Sequence, residues 1–160
     1  MAQSAEDVIK HEWDLLKKSG ILSQIGCSAG PIKTKGLYNF FKWKALMKAP
    51  EKSPYAGYLY KFEIEFPEDY PNSAPEVYCK TENMYHMNIA TDGSVCVSSV
   101  NDKWDNAKNI NTVLLSIFII FSKPNPESPH RSEIADLYIN NREEYERQVK
   151  EHCAKYAIKI

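Results

Sequence analysis

The chain has 160 residues, 20 basic and 21 acidic, with a formal net charge of −1. That balance argues against a nucleic-acid grip by bulk electrostatics, which shows as a basic domain or stripe. The length fits one domain, 1–160, large enough that folding buries about 70% of the surface of the unfolded chain.

No apolar run follows a basic start at the amino terminus, so no signal peptide is expected. Ser4 followed by Asp7 marks a helix start, and "AEDVIKHEWDLLKKSG" then sets Val8, Ile9, Trp13, Leu15 and Leu16 on or near one face. Lys10, Lys17 and Lys18 fall elsewhere on that helix, as a solvated face would, and Gly20 is a natural stop. "YNFFKWKALMKA" reads as a strand. In "YLYKFEIEF" the residues Tyr58, Tyr60, Phe62, Ile64 and Phe66 alternate with Lys61, Glu63 and Glu65, the pattern of an antiparallel strand covering a core on one side. "APEKSPYAG" between these runs is turn chemistry, so a meander is expected. Pro67, Pro71 and Pro75 lack ladder donors and keep "PEDYPNSAP" out of any strand interior, and "EVYCK" is a further short strand. "NTVLLSIFIIFS" is apolar nearly all round and stops before Pro124. It predicts a buried central helix, because the run from Thr112 to Phe121 is too short to cross a bilayer, and no membrane association is expected. "KPNPESP" predicts a rigid, extended loop, and "SEIADLYIN" a short helix. Asn141 with Glu144 starts a last helix, along which Tyr145, Val149, Cys153 and Tyr156 recur. The fold class is α+β: an amino-terminal helix, a four-stranded antiparallel meander, an irregular segment, a central buried helix and two carboxy-terminal helices.

Cys27, Cys79, Cys96 and Cys153 form no C-x-x-C pair, and with four histidines no metal-ligand spacing arises. No metal and no cofactor are expected, and free thiols point to the cytoplasm or nucleus. One stretch concentrates chemistry: "YHMNIATDGSVCVSS", residues 85–99. Asp92-Gly93 favours a tight turn that folds Asn88 back towards Cys96, where a side-chain amide would donate to an oxyanion formed during acyl transfer. Equally, a cysteine flanked by Val95 and Val97 has the surroundings of a buried strand residue. A cysteine protease would need a base, from His86, His130 or His152, and no local signature of one surrounds Cys96.

Taken in order, the chain resembles the ubiquitin-conjugating enzymes over almost its whole length. The resemblance is carried by "CSAGPI" (27–32), a tryptophan in the first strand (Trp43), "SPYAG" (53–57), "FPEDYP" (66–71) and "YHMN" (85–88) with a cysteine eight residues beyond the asparagine. "KWDNAKNINTVLLSI" (103–117), "PNPESP" (124–129) and "NNREEYERQVKEHCAKYA" (140–157) complete it. It implies the UBC fold and an acyltransferase: Cys96 would take ubiquitin from an activating enzyme as a thioester and pass it to a substrate lysine, usually with a ubiquitin ligase. Two alternatives are a ubiquitin-like modifier in place of ubiquitin, and a weakly active or non-catalytic ubiquitin-binding variant.

By the same resemblance Asn88 stabilises the oxyanion or holds the local loop, His86 is structural, and Tyr85 packs beside it. Asn125 and Ser128 sit at the gate for the incoming lysine, and Ser98 lies where many relatives carry aspartate. With serine at both 98 and 128, slower intrinsic discharge to lysine is expected. Asn72, Asn106 and Ala107 match the ligase-contacting loops. The two asparagines stand where relatives have apolar residues, which puts ligase choice in question. Lys10, Lys17 and Lys18 match the helix that meets the activating enzyme. Ser28 matches the face opposite the cysteine, where some members bind a second ubiquitin, and structural packing is an equal expectation for it. Met87 replaces a family proline, a change ordinarily worth under about 1 kcal/mol. Four extra residues around "IKTKGLYN" lengthen a loop before Trp43.

Overall fold

The computed structural model describes residues 3–95 and 104–160. Helix α1, Ala5–Ser19, begins as the sequence predicts: the Ser4 hydroxyl accepts the Asp7 amide at 3.1 Å. It ends at Gly20, whose φ of 74° few other residues tolerate. Ile9 and Leu16 face the core and Trp13 is half-buried, but Leu15 is 53% exposed. Leu15 therefore leaves the predicted apolar face. Ile9, Trp13 and Leu16 already fill that stripe, and Leu15 lies one residue, about 100° of rotation, beside it. A single turn, α2 (Ile21–Gln24), follows.

Four antiparallel strands, β1 (Cys27–Thr34), β2 (Leu37–Lys48), β3 (Tyr58–Glu65) and β4 (Glu76–Cys79), pair in sequence order as a meander. Two-residue strands extend it: β5, Ser94–Val95, beside β4, and β6, Ile158–Lys159, beside β3. Trp43 is in the second strand, not the first, because β1 forms ahead of it. The extra residues there do not make a loop. They prolong β1 and β2 into a hairpin closed by Lys35 and Gly36, both at positive φ (52° and 81°) as a two-residue turn demands. Pairing runs regularly to Pro31↔Trp43 and then jumps to Ile32↔Asn39, so Phe40, Phe41 and Lys42 bulge out of β2.

The period-two pattern of β3 places Tyr60, Phe62 and Ile64 inward. Against that face packs α3, Ile110–Ser122, capped by a reciprocal Asn109–Thr112 box. Phe121 meets Tyr60 and Phe62 with ring centroids 4.9 and 6.3 Å apart. Helices α4 (Ser132–Asn140) and α5 (Arg142–Tyr156) follow, and Asn141 accepts the Glu144 amide at the start of α5. Tyr145, Val149 and Cys153 are buried, and Tyr156 is half-buried. No described helix is long and apolar enough to cross a membrane.

Candidate active site

The segment from Met84 to Ile89 is buried at every residue although it belongs to no helix or strand. Buried irregular backbone must find hydrogen bonds outside a ladder, and the neighbours of this segment supply them. The Tyr55 hydroxyl donates to the Tyr85 carbonyl at 2.6 Å. Arg131 donates from its guanidinium to the Met84 carbonyl at 3.0 Å. The Met87 carbonyl accepts the amides of His130 and Arg131 at 2.8 and 3.1 Å. Met87 itself is fully buried, so the side chain standing where relatives have proline is core packing.

His86 has no exposed surface, and its ring stacks on Tyr55 with centroids 5.3 Å apart. Its Nδ1 accepts the Asn88 amide at 3.0 Å, which leaves the hydrogen on Nε2, donated to the Ile120 carbonyl at 2.8 Å. Burial penalises the charged imidazolium and holds the pKa down at about 4. A neutral ring with both nitrogens engaged cannot serve as a proton shuttle. Tyr85 stacks on His152 at 4.7 Å, and burial raises its phenol pKa.

Asn88 is also fully buried, and its amide is spent on one partner. Nδ2 donates to the Asn125 carbonyl at 2.9 Å, and Oδ1 accepts the Asn125 amide at 2.8 Å. This reciprocal pair fastens the loop 123–129 to the 84–89 segment. That loop turns at Asn125, whose Oδ1 accepts the Glu127 amide at 3.0 Å, so it is less extended than its prolines predict. Ser128 lies three residues on and is exposed.

After Asn88 the chain reverses through 90–93. Ala90 accepts from the Gly93 amide at 2.9 Å and donates to Ser94 at 2.9 Å, and Ile89 bridges Val95. Asp92 steadies the turn by accepting the Ser94 amide at 2.9 Å, which lowers its pKa. Position 93 admits only glycine: φ is 92°, and a Cβ there would meet the Cys79 carbonyl oxygen at 2.5 Å. Val95, paired with both Val77 and Ile89, is the last described residue before Cys96. Cys96 and Ser98 lie outside the described residues. Burial raises the other three thiols, Cys27 to about 12, Cys79 to about 11, and Cys153 upward beside the Tyr60 hydroxyl. Their thiolates are correspondingly scarce at neutral pH.

The remaining expected site residues fall on a pair of loops, on α1 and on β1. Asn72 is exposed on the loop 66–75, and Asn106 and Ala107 on the loop that follows Trp104. The Trp104 indole donates to the Pro71 carbonyl at 2.9 Å, so the structure brings these two loops together. Lys10, Lys17 and Lys18 are exposed on α1. Lys10 lies 3.7 Å from Glu6 and Lys17 3.5 Å from Asp14. Ser28 is exposed on β1, so it is not core packing.

Sequence reasoning assigned no role to Tyr55, Arg131 or Glu12. Tyr55 stood within "SPYAG", and Arg131 follows "PNPESP" by two residues, but their backbone acceptors are about 30 and 47 residues distant. Glu12 carries a single Oε1 that accepts both the Tyr70 hydroxyl, at 2.6 Å, and the Ile110 amide, at 2.9 Å. It thereby joins α1, the 66–75 loop and the first turn of α3. Hydrophobic periodicity carries no signal for such a bond.

An antiparallel meander backed by a central helix, with a buried H-x-N segment clamped to a proline-rich loop, is the frame of a ubiquitin-conjugating domain. The family model for "Ubiquitin-conjugating enzyme" matches residues 9–153, and the chain belongs to that family, whose general reaction is transfer of a modifier through a cysteine thioester. Among curated relatives, a "Probable ubiquitin-conjugating enzyme E2 31" of Arabidopsis thaliana is 39% identical over 119 residues, covering 74% of this chain and 77% of the relative.

Proposed function

We propose that the whole chain, 1–160, is one catalytic core in which Cys96 carries ubiquitin as a thioester and delivers it to lysine. The observation that carries this reading is the course of the backbone. The 90–93 turn and the Ile89–Val95 bridge bring Val95, the residue before Cys96 in the sequence, against Ile89, the residue after the Asn88 that clamps Asn125. The three remaining thiols are disfavoured by burial.

In the first step the Cys96 thiolate attacks the thioester carbonyl on the activating enzyme, whose own thiolate leaves. In the second, a lysine amine attacks the new thioester, the Cys96 thiolate leaves, and the ammonium proton passes to solvent or to a group at the lysine gate. Thiol exchange needs only the thiolate fraction already present in an ordinary cysteine. The lysine is the harder partner, because deprotonating it at pH 7 costs roughly 4.6 kcal/mol from a free pKa of ~10.4. Ser98 and Ser128 offer no carboxylate to help. Asn88 holds the loop that frames the reaction, and Lys10, Lys17 and Lys18 meet the activating enzyme. Asn72, Asn106 and Ala107 face a ligase whose grip here is polar. The reducing cytoplasm or nucleus suits this chemistry.

The test is to incubate the protein with activating enzyme, ATP and ubiquitin, and to resolve products with and without reductant. The expected adduct is thiol-sensitive, absent in Cys96→Ala and thiol-resistant in Cys96→Ser. An adduct that persists in Cys96→Ala overturns the assignment. Charging only by the activating enzyme of a ubiquitin-like protein would move the modifier, not the mechanism.

A further inference from the structure

Of the four histidines, three are engaged elsewhere or remote. His86 is buried with both ring nitrogens bonded. His152 stacks on Tyr85 and donates from Nδ1 to the Gln148 carbonyl at 2.9 Å, and His11 lies on α1. His130 is different. It is exposed, its backbone amide is pinned to the Met87 carbonyl at 2.8 Å, and its imidazole makes no hydrogen bond among the described residues. It also follows Ser128 by two residues, at the end of the loop where a lysine is expected to enter.

Three consecutive residues gather the surrounding elements. Met87 accepts from His130, Asn88 clamps Asn125, and Ile89 bridges Val95, the residue before Cys96 in the sequence. Asp92, on the turn between Ile89 and Val95, is exposed. Its pKa is lowered first by the Ser94 amide, and His130 acts in the same direction, so carboxylate and imidazole stand within electrostatic reach of each other. The other charged groups nearby are accounted for. Lys123 and Glu127 are exposed on the loop itself. The Arg131 guanidinium is spent on the Met84 carbonyl at 3.0 Å and on Glu133 of α4 at 3.1 Å. From the 84–89 segment only His86 could carry charge, and burial keeps it neutral.

We propose, resting on the assignment of Cys96 above, that His130, beside Asp92, takes the proton from a lysine as it attacks the thioester. The neutral amine bonds the thioester carbonyl carbon, and its nitrogen then carries two hydrogens and a positive charge. One of those protons passes to a free imidazole nitrogen. The C–S bond breaks, its electron pair leaves with sulfur as the Cys96 thiolate, and the amide remains. The imidazolium afterwards returns its proton to water. The Asp92 carboxylate stabilises the imidazolium while it exists. A base serves best when its proton affinity matches the working pH, so an imidazole can do what serines at 98 and 128 cannot.

The experiment charges the full chain with ubiquitin, stops the activating enzyme, and follows discharge to free lysine and, separately, to β-mercaptoethanol. A thiol attacks as the thiolate and has no proton to lose, so it reads the thioester without reading a base. The variants are His130→Gln, His130→Ala, Glu127→Gln and Asp92→Asn, the last of which keeps an oxygen for the Ser94 amide. His130→Gln should slow discharge to lysine by roughly ten- to a hundredfold at neutral pH and leave discharge to the thiol alone. The wild-type advantage should shrink as pH is lowered from about 7.5 to about 5.5, the range over which histidine ordinarily gains its proton. Added imidazole should restore part of the rate in His130→Ala, and Asp92→Asn should slow lysine discharge severalfold. Equal lysine rates in wild type and His130→Gln overturn the inference. So does a loss of the same size at every pH, a parallel loss of thiol discharge, or a pH-dependent loss in Glu127→Gln and not in His130→Gln. A thioester that survives Cys96→Ala overturns the assignment of Cys96 as well, and the charging step alone tells that failure from the others.

Discussion

Removing the side chain of Asn88 should loosen the 123–129 loop before it affects anything else. The amide spans two bonds to the Asn125 backbone, at 2.8 and 2.9 Å, and is fully buried. Asn88→Ala removes both bonds, and a buried backbone group that loses its partner costs about 1–3 kcal/mol. Asn125 is only half-buried, so water can replace part of the loss, and the pair together should cost ~2 kcal/mol. Asn88→Asp is a sharper probe. One carboxylate oxygen still accepts the Asn125 amide, but the other then faces the Asn125 carbonyl with no hydrogen to offer. Its cost should be no smaller than that of the alanine. Urea denaturation measures the stability, and hydrogen exchange at the Asn125 amide reads the clamp directly, since that N–H is the donor. Discharge of a preformed thioester to free lysine is followed in parallel. If Asn88→Ala left stability within ~0.5 kcal/mol and the Asn125 amide still protected while discharge collapsed, the clamp argument would fail. The side chain would then be acting on the reacting carbonyl itself.

Four further outcomes are expected. His86 has its pKa depressed to about 4 by burial, so below about pH 6.5 the unfolded chain binds a proton that the folded chain refuses. Stability should fall from pH 6.5 towards pH 4 by up to roughly 3 kcal/mol, an order-of-magnitude figure; a His86→Gln variant with the same slope between pH 6.5 and 5 would refute the assignment. In the native state an aromatic disulfide reagent at pH 7.5 should titrate one fast thiol, lost in Cys96→Ala, with Cys27, Cys79 and Cys153 reacting only on unfolding. Glu12→Ala, which strips a shared acceptor from the Tyr70 hydroxyl and the Ile110 amide, should cost ~2 kcal/mol in urea, and Glu12→Gln about half that; two neutral variants would show the bonds to be incidental. Ser128→Asp should speed discharge to free lysine severalfold by supplying a proton acceptor, and an unchanged rate would count against a gate at this exposed position.

What the sequence made legible was whatever repeats with a short period or sits within a few residues. The Ser4 and Asn141 caps, the Gly20 stop, the alternation along β3 and the nearly unbroken apolar run of α3 all depend on neighbours within one turn or one pleat. Leu15 escaped because helical periodicity defines a stripe without saying how wide the core beneath it is. The hairpin escaped for a related reason. "KTKG" carries a positive-φ turn at Lys35-Gly36, but a lengthened loop and a lengthened hairpin differ only in whether the flanking residues pair, which the β-bulge at Phe40–Lys42 decides.

The site divides along the same line. His86, Asn88 and Asn125 were marked by motif, but what they do is set by partners 34 to 37 residues away, and those partners are mostly backbone atoms. A backbone acceptor has no residue type, so no pattern of letters announces it. For the same reason Met87 can stand in place of the family proline. The position is held by its carbonyl, which accepts from His130 and Arg131, and by complete burial of the side chain, so the segment does not depend on a ring to fix its path. Rigidity here comes from bonds reaching in from Tyr55, Arg131 and Asn125, and a substitution at any of those three should disturb the segment more than the methionine does.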